Sequence, residues 1–73
     1  MMNEDTIKFI VSRVIENANV ALEESKQNPK DDFYKGRKLA YYEILDTIKN
    51  EMDVRDADLK ELGLDIDLEK EFL

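Results

Sequence analysis

The chain contains one proline, Pro29, and it stands between two long stretches that share a helical period. Before it, Ile7, Ile10, Val11, Val14, Ile15, Ala18, Ala21 and Leu22 fall within an arc of roughly 140° at 100° per residue, as on a helix with one wide apolar face. After it, Phe33, Tyr34, Ala40, Tyr41, Ile44, Leu45, Ile48 and Met52 fit a second arc of about 140°. Proline disfavours helical geometry in the residue before it and fits the first position of a helix. The pattern therefore predicts a helix over 4–27, opened by Asn3 as N-cap with Glu4 and Asp5 at the positive end of its dipole. A second is predicted over 29–53, opened by Asn28 with Asp31 and Asp32 in its first turn. Two helices of similar length joined by a short turn make an antiparallel hairpin. Gly36 interrupts the second helix, and implies either a close backbone neighbour or loosely helical first turns.

Beyond residue 53 the period changes. Asp56-Ala-Asp-Leu-Lys-Glu-Leu-Gly63 reads as a short helix over 56–62, capped by aspartate and stopped by glycine. Leu62, Leu64, Ile66 and Leu68 then alternate with polar residues or Gly63, as in an extended tail over 63–73 that lays one side on an apolar surface. Glu69 to Leu73 adds a final helical turn with Phe72 as anchor. The expectation is an all-α single domain over 1–73: a two-helix hairpin with a short third helix and a docked tail.

Size sets the next constraint. Seventy-three residues without cysteine make a marginal core, because apolar burial at about 25 cal/mol per Å² must offset about 1.5 kcal/mol of ordering entropy per residue. Dimerisation of two hairpins into a four-helix bundle would close the core symmetrically. Ile7, Val11, Val14, Ala18, Tyr41, Leu45 and Ile48 are the expected buried seam.

The net charge of −7 is segregated: residues 51–73 hold nine acids and three bases, a net −6. Such a balance opposes direct binding to nucleic-acid phosphate or an anionic membrane. No apolar run approaches the ~18 residues of a membrane span, and the opening Met-Met-Asn-Glu-Asp is acidic where a secretory leader is basic, so the expected compartment is the cytoplasm.

Catalysis and metal binding find little to work with. With no histidine and no cysteine, the remaining candidate is Lys8 with Ser12 at i and i+4, a pair that would need a buried amine and an oxyanion hole in a concave site. A calcium loop starting at Asp56 would place Lys60 at position 5, where an oxygen ligand is needed, and Glu61 at position 6, where glycine is needed, so the match fails. Neither a catalytic site nor a cofactor nor a metal is expected. Lys35-Gly-Arg-Lys38 is the one basic cluster, and Asp31, Asp32 and Glu43 cancel much of its field, with Asp31 and Lys35 at intrahelical pairing distance.

Arg37 lies inside the apolar arc of the second helix. It must snorkel, stack on an aromatic ring, or pair with a carboxylate such as Glu16, and in pairing it would fix the register of helix packing. Phe9 and Val20 on the first helix, and Leu39 and Tyr42 on the second, lie outside the main arcs and need cover from the tail, a second subunit or a target. Together with Arg37, Tyr41 and Phe72 they are the interface candidates.

The stretch Asp32-Phe-Tyr-Lys-Gly-Arg-Lys-Leu-Ala-Tyr-Tyr-Glu-Ile-Leu-Asp-Thr-Ile-Lys-Asn-Glu resembles small helical proteins of Gram-positive bacteria and their mobile elements. The resemblance covers residues 32–51 and implies no functional residue. The expected function is therefore non-enzymatic: a protein–protein interaction module, a homo-oligomer or the binder of a protein partner. The alternative is an acidic antagonist of phage or mobile-element type, a nucleic-acid mimic that occupies a basic groove.

Overall fold

The computed structural model describes residues 3–73; Met1 and Met2, the first two positions of the expected 1–73 domain, lie outside the described residues. The fold is all-α, with two long helices packed as an antiparallel hairpin, α1 (Glu4–Gln27) and α2 (Asp32–Val54), and a short α3 (Leu68–Phe72) against α2. Helix α1 opens as its sequence dictates: Asn3 is extended, and its side-chain oxygen accepts from the Thr6 N–H at 2.8 Å. That satisfies one of the orphan donors of the first turn.

The connection corrects the sequence reading. Asn28 does not open α2; it closes α1, its backbone N–H donating to the Glu24 carbonyl at 3.0 Å and its side-chain amide to the same oxygen at 2.9 Å. A β-turn follows, with the Asp31 N–H donating to the Asn28 carbonyl at 3.1 Å. In it Pro29 takes the second position, which suits its fixed φ as well as a helix start does. Asp31 is the actual N-cap, accepting from the Phe33 N–H at 3.0 Å. Its carboxylate is therefore engaged with the backbone, and among the described residues Asp31 and Lys35 form no ion pair.

The expected helix over 56–62 is absent, and the short third helix lies at Leu68–Phe72 instead. The cause is a pair of identical helix-stop motifs close together. At the end of α2 the Ala57 N–H reaches the Met52 carbonyl at 3.0 Å and the Asp56 N–H reaches that of Asp53 at 3.0 Å. Asp56 takes the left-handed conformation this cap requires, φ 56°. Seven residues later Leu64 donates to Leu59 at 2.8 Å and Gly63, φ 76°, to Lys60 at 3.2 Å. Between the stops there is room for one turn, capped by the Asp58 carboxylate on the Glu61 N–H at 3.2 Å.

From Leu62 onward the alternating pattern is realised. Leu64 and Leu68 are buried and Leu62 and Ile66 half-buried, while Gly63, Asp65 and Asp67 face solvent. The core accordingly has three sides: Val11, Ala18 and Leu22 from α1, Leu45 from α2, and Leu64, Leu68 and Phe72 from the tail and α3. Of the expected seam, Val11, Ala18 and Leu45 are buried, and Ile7, Val14, Tyr41 and Ile48 pack against them. The α2 arc is rotated from expectation. Phe33 and Ile44 remain 68% and 45% exposed and Ala40 is exposed, while Tyr42 joins the packed set. The tail supplies a second partner on the Tyr42 side, which turns that side of the helix inward. Gly36 meets nothing within 4 Å and is helical, so neither reason offered for it holds.

Candidate interaction surface

The hairpin presents two long sides, distinguished by what covers them. On the tail side, Lys8 donates to Glu61 at 2.6 Å, the Ile15 methyl lies 3.4 Å from where a Cβ of residue 63 would stand, and Lys49 donates to the Ile66 carbonyl at 2.6 Å. Lys8 and Lys49 thus clasp the two ends of the docked segment. Two proton affinities register this docking. The hydrogen bond to Glu61, and then its charge, raise the Lys8 amine above its ordinary value. Partial burial pushes the Tyr42 phenol up, with the charges of Asp46 and Glu69 adding to it. Sequence reading missed the clasp, since Lys8 and Lys49 meet groups 53 and 17 residues away.

The expected pairing of Lys8 with Ser12 does not form. Lys8 is turned to Glu61, and the Ser12 hydroxyl donates to the Phe9 carbonyl one turn back, at 2.7 Å. Among the described residues, no three Asp or Glu side chains are grouped to hold a metal ion, and no helix is long and apolar enough to cross a membrane.

On the opposite side, the guanidinium of Arg37 binds Glu24 of α1 and lies over the Tyr41 ring, 5.9 Å from its centroid. Two of the three options left open for Arg37 are therefore combined. The carboxylate is Glu24, not Glu16: in an antiparallel hairpin the start of α2 faces the end of α1, and Glu16 lies about 12 Å farther along α1. Both partners are about one-third exposed, which holds such a pair to at most ~1 kcal/mol.

The remaining interface candidates scatter. Phe72 is 3% exposed and spent within the chain's own core, so it is not available to a partner. Tyr42 is half-buried under the tail side. Phe9, Val20 and Leu39 are exposed, at 65%, 52% and 44%, but turn away from the hairpin seam. Tyr41 alone joins Arg37 on the side the tail leaves open. There Ile10 of α1 and Ile44 of α2, neither of them a candidate from sequence, are exposed beside half-buried Val14, Tyr41 and Ile48. The signal for them was present in the wide arcs, where they were counted as core. No family model, curated protein or solved structure matches this chain.

Proposed function

We propose that this protein is a non-enzymatic protein–protein interaction module that associates with a second copy of itself. The observation behind the reading is surface area. A compact monomer of 8.6 kDa exposes about 4,700 Å² by the scaling of surface with mass. This chain, 40 × 19 × 17 Å, exposes 5435 Å². The surplus of about 700 Å² is close to the ~800 Å² that each partner contributes to a standard interface.

Light scattering behind size exclusion, over a hundredfold range of concentration, tests the proposal. The expected mass is twice 8.6 kDa, falling toward the single value only on dilution. A mass that stays at the single value throughout would overturn it.

A second reading, the acidic antagonist, draws on the tail. Asp65 and Asp67 are exposed along the outer edge of the extended segment, between inward-facing Leu64, Ile66 and Leu68, and Glu69 and Glu71 add exposed charge on α3. Binding of that kind falls steeply with ionic strength. A partner held by this edge should be released between about 50 and 500 mM salt and weakened by Asp65→Lys with Asp67→Lys. An affinity flat in salt would remove the reading.

A further inference from the structure

The two sides of the hairpin differ in charge as well as in cover. Helical geometry at 100° per residue places Ile10, Val14 and Glu24 on one flank of α1, roughly opposite Lys8 and Ser12. On α2 the same rule places Arg37, Ile44 and Ile48 on the flank away from Asp46 and Lys49. The contacts agree. Lys8, Ile15 and Lys49 meet the tail, whereas Glu24 and Arg37 meet each other. The open side is therefore continuous across both helices, an apolar centre of Ile10, Val14, Tyr41, Ile44 and Ile48.

We infer that this open side is a two-fold interface in which the same surface of two copies of the chain meets itself. The inference rests on the self-association proposed above and adds where it occurs. The surplus of about 700 Å², a property of the whole elongated chain, is of the size one copy contributes to a standard dimer interface, and the open side is the flank with exposed apolar residues from both helices. Charge points the same way. Residues 56–73, the segment that turns back and docks on the far side, carry a net −5, and residues 1–55, which hold both helices of the hairpin, carry −2. Two copies meeting through their open sides keep their tails apart; meeting through any tail-lined surface would bring like charges together. Two ion pairs border the open side, Glu24 with Arg37 at one end and Glu51 with Arg55, 2.7 Å apart, toward the other, and exposed Asn17 and Arg13 add polar groups along the α1 edge. An apolar centre with a polar, solvent-facing rim is the anatomy of a protein interface.

The test compares glutamate substitutions on different sides of the hairpin, in the full chain, by sedimentation equilibrium. Ile44 and Ile10 are already 45% and 43% exposed, so Ile44→Glu and Ile10→Glu should keep the helical circular dichroism of the wild type. Each should weaken dimerisation at least about a hundredfold, since the new carboxylate would be buried unpaired. Phe9→Glu and Leu39→Glu, on other sides, should leave it within about twofold. A wild-type dimer that tolerates both isoleucine changes but is broken by Phe9→Glu or Leu39→Glu would overturn this interface while leaving self-association standing. A wild type that stays monomeric at every concentration would overturn both.

Discussion

One side of the hairpin is sealed by its own chain and the other is not, although the two draw on the same helices. On the sealed side, Leu64, Leu68 and Phe72 complete a core with Val11, Leu22 and Leu45, and two lysines clasp the segment in place. On the open side, Ile10 and Ile44 keep over two-fifths of their surface in water, beside a shared ion pair. Residues 56–73 thus form a lid that covers one flank of the hairpin and leaves the other bare. Buried apolar contacts are concentrated where the lid sits, and exposed apolar side chains remain where it does not.

Removing the lid's anchor should have the largest effect. Phe72→Ala should cost about 3–5 kcal/mol, against a total of about 4–11 kcal/mol expected at ~0.05–0.15 per residue. A urea titration should show the midpoint collapse; a loss under 1 kcal/mol would mean the lid contributes little and the two sides are alike.

Next come the two helix stops, which share a backbone and differ in residue. Gly63→Ala puts a side chain at φ 76° against Ile15, and should destabilise the lid by about 1–2 kcal/mol. Asp56→Gly relieves the left-handed strain at the equivalent position and should gain about 0.5 kcal/mol. Thermal melts of the pair should move in opposite directions; shifts of the same sign would refute the equivalence.

Gly36 sharpens the comparison from outside it. It meets nothing within 4 Å on an exposed turn of α2, so Gly36→Ala should stabilise the hairpin by about 0.5–1 kcal/mol. It should do so without changing the proposed self-association, as denaturant and scattering measurements on the same variant can establish. The smallest expected effect is alkaline. Lys8 and Tyr42 both hold their protons more tightly when the lid is docked, so their contribution is complete below their unfolded values of 10.5 and 10.0 and is lost as pH rises through the folded ones. The melting temperature should hold up to about pH 9 and fall as pH rises through about 10 and beyond, and fall less in Tyr42→Phe.

Much of the fold could be read from local chemistry. Asn3 has the side chain and the following acids that start a helix, and the alternation of Leu62, Leu64, Ile66 and Leu68 needs only a surface to lie on. Asn28 and Asp56 were misread because each residue type serves either end of a helix; hydrogen bonds to Glu24 and Asp53, respectively, decided which. Of the interface candidates read from sequence, Arg37 and Tyr41 lie on the uncovered flank and Phe72 lies in the core, while Ile10 and Ile44, which belong to the apolar arcs, are exposed. A helical wheel tells which residues share a face and says nothing of how many neighbours that face will have.

By itself, then, the sequence determined two amphipathic helices, the turn at its single proline, and a tail with one apolar edge, because period, capping and turn chemistry act over a few residues. Only the tertiary structure decided which flank of the hairpin the tail would cover. That choice depends on Gly63 letting the chain approach Ile15, on Lys8 and Lys49 finding partners far along the chain, and on Phe72 filling the space beside Leu45. Each is a contact between segments whose separation in sequence carries no local signal.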